Sequence, residues 1–316
     1  MVTKNYILRL RKVIAAALMI MMIAGISACS VGKNAESVAE NGAGFDFMAI
    51  QKDDAIADLL PIEVRESGVI QVGSDTTYSP FDFISEDNKI TGIDIDIAKA
   101  MSRVLGVEIV FNTSIFDQII PSIGAKYNAG FSALFVTDER IKQVDFVSYM
   151  QTASVVTAQK GNPSAVDPKN LCGKKIAVQT NTTEFQDAEA IGEKCVASGR
   201  DNVTILANDS QAQVTNYVAT GRADVMFTEK AVAGYAIKLS DDKLEMLGEY
   251  GDDNYLLGIA LKKGDSLAVP LQKALNVLIQ SGDMDKILDT WGITNGSVTE
   301  SKVIKTSADF EAASGN

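Results

Sequence analysis

The polar residues best placed to bind a ligand follow a predicted strand. Val69-Ile70-Gln71-Val72 has the β-rich composition of a strand, and the run from Asp75 through Tyr78 to Phe81 comes directly after it. Open α/β sheets bind ligands outside the carboxyl ends of their strands. We therefore expect this loop to contribute side chains to a site.

A second polar cluster, Thr137-Asp138-Glu139-Arg140, follows a predicted strand that ends near Phe135. Thr137 occupies a plausible N-cap position, and a helix begins after it. Spacing alone leaves two interpretations open. Either this is an ordinary capped helix whose arginine is solvated, which spacing favours, or the arginine belongs to a site.

The composition excludes several kinds of chemistry. The chain has no histidine among its 316 residues, which removes Ser-His-Asp and Cys-His catalysis together with histidine metal ligation. Its formal charge of −12 disfavours contact with nucleic acid. We expect no cofactor, no metal and no nucleic-acid partner.

The beginning of the chain has the pattern of an export signal. A basic stretch ends at Lys12, an uncharged apolar run of 14 residues extends from Val13 to Ile26, and Ser27-Ala28-Cys29 follows. The run is shorter than the roughly 20 residues of a membrane span. The small residues before the cysteine resemble the bacterial lipobox, so we interpret residues 1–28 as a lipoprotein signal peptide and Cys29 as the lipidated residue. An ordinary signal peptide or an N-terminal anchor with an incidental cysteine is the alternative.

Two further cysteines, Cys172 and Cys195, remain once Cys29 is assigned to a lipid. An even pair in an oxidising compartment predicts a disulfide. Two buried free thiols are the alternative.

Strand-like and helix-like patterns alternate from Ile62 to Ile293, which is typical of an α/β fold. The predicted strands include Val107–Phe111, Phe131–Phe135 and Lys175–Gln179. Residues 29–61 are interpreted as a flexible linker and residues 297–316 as a polar C-terminal tail. Two β-like segments, near Ser154 and Tyr255, bracket the middle block, so lobe 1 would comprise residues 62–152 and 257–296 and lobe 2 residues 153–256.

The order of these segments resembles the polar amino-acid family of solute-binding proteins of ATP-binding cassette importers. The likeness extends from Gly68 to Trp291, and each motif is weak alone but specific in sequence order. The motifs that carry it are Asp75, Tyr78, Pro80-Phe81, Gly92-Ile93-Asp94-Ile95-Asp96, Phe116, Ile119-Ile120-Pro121, Thr137-Asp138-Glu139-Arg140, Val144-Asp145-Phe146, Leu171-Cys172-Gly173-Lys174-Lys175-Ile176-Ala177-Val178-Gln179 and Gly221-Arg222-Ala223-Asp224.

The resemblance implies a periplasmic-binding-protein type II fold, in which a discontinuous first lobe and a second lobe are joined by a two-strand hinge and close on the ligand. It implies that Arg140 grips the ligand α-carboxylate through its planar guanidinium, and that Glu229 accepts the α-ammonium. Asp75 would reach the ligand side chain and favour an amide or a cation there. The remaining ligand-binding positions that it implies are Tyr78, Phe116, Ala133, Phe135, Gln179, Thr182 and Thr183.

Three positions depart from the family pattern. Phe135 stands where many relatives have a hydroxyl that supports the carboxylate. Asn181 replaces a frequent glycine, which a left-handed backbone would tolerate. Glu229 is one methylene longer than the usual aspartate.

The sequence thus predicts a monomeric, lipid-anchored, extracytoplasmic binding protein that delivers a free amino acid with a polar or basic side chain to an importer's permease. It is predicted not to be an enzyme. The alternative is a cleft enzyme on the same scaffold, such as a cyclohexadienyl-dehydratase-like lyase with Glu229 as its acid. A tethered sensor or adhesin domain is a third interpretation.

Overall fold

The computed structural model describes residues 44–241 and 243–315, apart from the side chains of residues 252–254. The predicted signal peptide and Cys29 lie outside the described residues. Within the described ranges, none of the helices combines the length and the apolar character needed to cross a membrane.

Strands and helices alternate along the described ranges, as the sequence predicted. The strands are β1 (Val69–Ser74), β2 (Thr77–Tyr78), β3 (Asp82–Ile84), β4 (Ile90–Thr91), β5 (Glu108–Thr113), β6 (Ala129–Gly130), β7 (Val144–Gln159), β8 (Lys175–Gln179), β9 (Thr204–Asn208), β10 (Val225–Glu229), β11 (Leu244–Lys262) and β12 (Val303–Ile304). The helices are α1 (Asp54–Ala57), α2 (Ile62–Ser67), α3 (Ile93–Leu105), α4 (Phe116–Ser122), α5 (Asp138–Ile141), α6 (Thr183–Ala197), α7 (Gln211–Ala219), α8 (Lys230–Leu239), α9 (Ala268–Gln280), α10 (Asp283–Thr290) and α11 (Ser307–Ser314).

One large sheet runs through the described chain in the order β5-β1-β6-β11-β7-β10-β8-β9, and β12 pairs with β7 outside that path. The long antiparallel strands β7 and β11 pair along most of their length, with a register shift between Tyr250 and Tyr255. We call the β5-β1-β6 side lobe 1 and the β10-β8-β9 side lobe 2. Because β7 and β11 belong to both sides, they form the connection between the lobes. The lobe boundaries at residues 152/153 and 256/257 stay a prediction.

Each face of the sheet carries its own core, because successive residues of a strand point to opposite faces. In lobe 2, Val156, Ile176 and Phe227 pack in one cluster. Their neighbours Val155 and Ala177 pack in another. Lobe 1 has a corresponding pair of clusters. Helices therefore cover both faces, and the carboxyl ends of the parallel strands are left to face the other lobe.

The prediction of a strand over Phe131–Phe135 is wrong. The strand ends at Gly130, and Ala133 adopts a positive φ of 43° that breaks any ladder. The backbone amide of Ala133 instead donates to Asp94 Oδ2 at 2.8 Å, and Ser132 Oγ accepts from the amide of Asp75 at 2.9 Å. The Asp94 carboxylate thus takes up the amide of Ala133, while the carbonyl of Leu134 accepts from the amide of Gly258 at 2.9 Å. The periodicity of the sequence could not indicate these distant partners.

The flexible linker predicted over residues 29–61 is also wrong where the structure describes it. In residues 44–61, Phe45, Phe47 and Leu60 are buried in the cluster that contains the apolar face of α3. After residue 296 the chain forms β12 and α11. A few well-spaced apolar residues are enough to dock such segments onto an existing core.

The predicted disulfide between Cys172 and Cys195 is confirmed, with the two Cα atoms 5.6 Å apart. It ties the loop before β8 to the last turn of α6. Cys195 itself lies in the core of lobe 2.

Removing this bridge by the double change Cys172→Ala/Cys195→Ala should lower the free energy of unfolding by about 3 kcal/mol. The two cysteines are 23 residues apart in sequence, and the bond between them reduces the conformational entropy of the unfolded chain. Denaturant unfolding of the variant and of the parent would measure it. Reduced parent protein is the control and should match the variant. An unchanged unfolding midpoint would show that the bridge contributes nothing.

Candidate functional site

The loop after β1 presents a buried carboxylate to the other lobe. Asp75 is only 2% exposed, and its Oδ1 accepts hydrogen bonds from the amide of Thr77 at 3.0 Å and from Thr77 Oγ1 at 2.9 Å. Its Oδ2 accepts from Nε2 of Gln179, the last residue of β8 in lobe 2. Burial raises the pKa of Asp75 above its ordinary value. Asp75 and Gln179 therefore meet directly across the cleft.

Arg140 reaches into the same cleft from α5. Thr137 caps this helix by accepting from the amide of Arg140 at 3.3 Å. The guanidinium donates from Nη1 to the carbonyl of Phe135 at 2.9 Å and from Nη2 to the carbonyl of Asn181 at 3.3 Å. Its carbon lies 5.4 Å from the centre of the Phe116 ring. A guanidinium has five N–H donors, so donors remain for a ligand carboxylate.

Glu229 is fully buried at the end of β10, where α8 begins. Its Oε2 accepts from the amide of Val232 at 2.8 Å, and its Oε1 accepts from Thr152 Oγ1. Burial raises the pKa of Glu229 to about 7. A carboxyl with this pKa can hold a proton or give it up near neutral pH, and an approaching cation would favour the ionised form.

Glu184 is a site residue that sequence reasoning missed. It lies in the first turn of α6, is buried, and accepts from Ser154 Oγ at 2.8 Å. Burial raises the pKa of Glu184, while the charge of Arg140 lowers it. A signal was present in the sequence: a helix that begins at Thr183, directly after the predicted ligand loop, must place its first acid beside that loop.

Two aromatic residues, Tyr78 and Phe135, lie next to these charged groups. Burial raises the pKa of Tyr78 well above its usual value, and the charges of Glu184 and Glu229 add to that effect. Tyr78 therefore lies near both carboxyls. The Phe135 ring stacks on Tyr255 with 4.7 Å between centroids.

The three departures from the expected pattern each have a structural counterpart. Phe135 contributes its main-chain carbonyl, which accepts from Arg140, and offers no side-chain hydroxyl for the ligand carboxylate. Asn181 adopts the left-handed conformation with φ of 58°, as its replacement of glycine predicted. The side chain of Glu229 caps α8 by accepting from the amide of Val232.

Other predicted ligand positions are occupied by contacts within the fold. The amide of Ala133 is taken by Asp94. Thr182 Oγ1 donates to the carbonyl of Gln179 at 2.9 Å and accepts from the amide of Phe185 at 3.1 Å, so it caps α6. Thr183 is half-buried at the start of that helix. Their roles toward a ligand stay predictions.

Further hydrogen bonds hold the lobes together at the rim of the cleft. The amide of Gln211 donates to Thr77 Oγ1 at 3.2 Å, and Gln186 Nε2 donates to Glu139 Oε2 at 3.1 Å. With the Arg140 to Asn181 contact, these bonds define a closed arrangement of the two lobes.

Comparison with known proteins relates this arrangement to a family. The profile of the bacterial extracellular solute-binding proteins, family 3, matches residues 70–294. An arginine-binding protein of Corynebacterium glutamicum is 28% identical over 253 residues, which cover 78% of this chain and 82% of that protein. The ABC transporter arginine-binding protein 1 of Escherichia coli is 31% identical over 228 residues, covering 70% and 90% respectively. A solved structure of an ancestral arginine-binding protein bound to arginine superposes with a TM-score of 0.65 at 32% identity, covering 71% of this chain and 98% of that one.

Proposed function

Because the chain belongs to the bacterial extracellular solute-binding proteins of family 3, we propose that its two lobes close on a free amino acid with a cationic side chain. The observation that carries this proposal is the charge of the cleft, where three buried carboxyls, Asp75, Glu184 and Glu229, outnumber the guanidinium of Arg140, which lies near Glu184. Relatives named for arginine binding support the same ligand class.

The distribution of these charges suits a zwitterion. Arg140 would hold the α-carboxylate through the donors that its two backbone contacts leave over. Glu229 would accept the α-ammonium, which replaces the proton that burial favours on this carboxyl in the free protein. Tyr78 and Phe116 would cover the aliphatic part of the ligand.

The excess of carboxyls over cations in the cleft determines which charge the side chain of the ligand should carry. A neutral amino acid would leave Asp75 and Glu184 without a cation of their own, because the α-carboxylate would balance Arg140 and the α-ammonium would balance Glu229, and an uncompensated buried charge is costly. A lysine, ornithine or arginine side chain brings one more positive charge to the cleft. An acidic side chain would add repulsion, so glutamate and aspartate should be rejected.

The route of the ligand is proposed from the family and from the N-terminal sequence. We propose that Cys29 carries the lipid after removal of residues 1–28, that the protein stays on the outer side of the bacterial membrane, and that the closed monomer is recognised by the permease of an ATP-binding cassette importer. Ligand binding would raise the population of that closed form.

Calorimetry of the purified chain with the protein amino acids, ornithine and citrulline tests the proposal. We expect the cationic amino acids to bind with dissociation constants of about micromolar strength, near −8 kcal/mol. Citrulline is the matched uncharged analogue of arginine and should bind more weakly. Equal binding of citrulline and arginine, or binding of no amino acid, would reject the proposal.

A second candidate function draws on Glu229 alone, because a buried carboxyl with a pKa of about 7 is also suited to general acid catalysis. That alternative is a lyase acting on prephenate or arogenate. Turnover of either compound by the purified chain, without amino-acid binding, would favour the enzyme.

Asp75→Asn should weaken the binding of arginine and lysine by about tenfold and the binding of glutamine by less than twofold. The change keeps the size of the side chain and its acceptor for Thr77, but it removes the negative charge and replaces the acceptor that faces Gln179 Nε2 with a donor. Loss of the contact with Gln179 should affect all ligands alike, whereas loss of the charge should affect the cationic ligands alone. Calorimetric affinities for the three ligands measure the effect, with the exposed change Asp87→Asn as the matched control. Equal losses for all three ligands would show that Asp75 does not select charge.

A further inference from the structure

The end of the chain, beyond the region matched by the family, lies along the strand that connects the lobes. We call Gly296–Ser314 the C-terminal brace. The carbonyl of Gly296 accepts from the amide of Gln151 at 2.7 Å, and the carbonyl of Lys302 accepts from the amide of Ser148 at 3.0 Å. β12 then pairs with Phe146 and Val147 of β7. The edge of β7 that does not pair with β11 is therefore covered by two elements. The brace covers it in lobe 1, and β10 covers it in lobe 2.

The final helix of the brace packs against the helix that carries Arg140. α11 contacts α5 and β11, and the half-buried Phe310 and Ala313 lie on the cluster that contains Ile141 of α5. The half-buried ring of Phe116, which lies under the guanidinium, packs on the same cluster. One apolar contact surface therefore supports both the backbone and the ring that position Arg140.

A lysine joins the brace to α5 by hydrogen bonds. Nζ of Lys263 donates to the carbonyl of Ile141 at 2.9 Å and to the carbonyl of Lys305 at 2.8 Å. It also forms an ion pair with the buried Asp145 at 2.8 Å. The last carbonyl of α5 and the residue after β12 are thereby held by one cation.

The helix α5 depends on such external support. It has only four residues, and an isolated helix of that length is unstable because nucleation is not repaid by propagation. Its N-terminus is fixed by the Thr137 cap, while its buried side, Ile141, is fixed by the cluster that Phe310 helps to cover. The direction in which α5 presents Arg140 follows from these contacts.

We propose that the C-terminal brace orients Arg140 for ligand capture, with Phe310 as a positioning residue that acts through α5. The inference rests on the proposed function for its ligand, and on contacts within lobe 1 for its mechanism. Loss of the Phe310 ring would let α5 shift or fray, so the guanidinium would meet the carboxylate in the correct geometry less often.

The test compares Phe310→Ala with the parent protein in two measurements. Hydrogen exchange should become at least fivefold faster at the amides of Arg140 and Ile141, and remain unchanged in α8 of lobe 2. Calorimetry with L-arginine should show about tenfold weaker binding. Glu311→Ala, an exposed change on the same helix, should alter neither. Phe310→Leu, which keeps most of the apolar contact, provides a milder variant if the alanine variant does not fold, and should change both quantities in the same direction.

A coupling measurement separates positioning from general destabilisation. In an Arg140→Lys background, Phe310→Ala should cost less than twofold in affinity for L-arginine, because the planar fork that the brace orients is already gone. An equal loss in both backgrounds, or unchanged exchange in α5, would overturn the inference. If the parent binds no amino acid, the proposed function fails, while the exchange measurement still decides whether the brace orders α5.

Discussion

Arg140→Ala should abolish amino-acid binding without unfolding the protein. In the closed cleft the guanidinium is the cation that faces the proposed α-carboxylate site, and it is held there by two backbone carbonyls and the ring of Phe116. Removing one partner of a desolvated charge pair costs about 2–5 kcal/mol, which corresponds to roughly 30-fold or more in affinity. Calorimetry with L-arginine at high ligand concentration would measure the loss.

The fold should tolerate this change, because burial lowers the pKa of Arg140 and so opposes its charged form. We expect a melting temperature within a few degrees of the parent. Arg103→Ala, which removes an exposed arginine from α3 in the same lobe, is the matched control and should bind normally. Retained affinity in the Arg140 variant would reject its assignment as the carboxylate ligand.

Glu229→Gln should have opposite effects on ligand affinity and on the stability of the free protein. The glutamine oxygen can still accept from the amide of Val232, so the cap of α8 persists, and the new Nε2 would donate to Thr152 Oγ1, whose hydroxyl then acts as the acceptor. The negative charge that would balance the ligand ammonium is lost, and we expect about 100-fold weaker binding of arginine at pH 8. The free variant should meanwhile be more stable than the parent at that pH by roughly 2 kcal/mol.

The sign of the stability effect follows from the raised pKa. Burial lifts the pKa of Glu229 from an ordinary 4.5 to about 7, so the folded protein retains the proton more strongly than the unfolded chain. This contribution to stability is fully present below pH 4.5 and is lost as the pH rises through 7. The variant lacks this decline. Asp94, whose pKa burial also raises to about 7, contributes a decline in the same direction to both proteins. The charge of Glu229 adds to the raised pKa of Asp94, so the difference between the two proteins reports Glu229 together with its effect on Asp94.

Denaturant unfolding between pH 5 and 8, with and without arginine, would test both effects. The exposed change Glu193→Gln on α6 is the control and should leave the pH dependence of stability unchanged. Parent affinity for arginine should also rise between pH 6 and 8, because the ligand favours ionised Glu229. A variant that loses stability at pH 8, or that binds arginine as tightly as the parent, would contradict the role given to Glu229.

Local sequence was sufficient for much of the fold. Alternating β-rich and helical patterns gave most strands and helices, because the face that an element buries is written into its own periodicity. The pairing of Cys172 with Cys195 followed from their even number and the expected compartment. The placement of Asp75 in a loop after a strand followed from the rule that parallel strands end at the ligand side of a sheet. Arg140 instead lies in the short helix α5, after a segment that the sequence wrongly predicted as a strand.

Tertiary structure decided the features that depend on distant partners. The start of α6 after the ligand loop could have indicated that Glu184 lies at the site, but only the folded chain places it near Arg140 of the other lobe. The segment Phe131–Phe135 is irregular because Asp94 and Asp75 take up its polar groups.

The sequence itself determined the order of motifs that resembles the family, and it determined which polar groups each loop can offer to a ligand. The net charge of the closed cleft and the support of α5 by Phe310 were decided only when chain segments far apart were brought together. The physical reason is that burial and Coulomb energy depend on the distance between groups in space, whereas local patterns report only which face of one element is apolar.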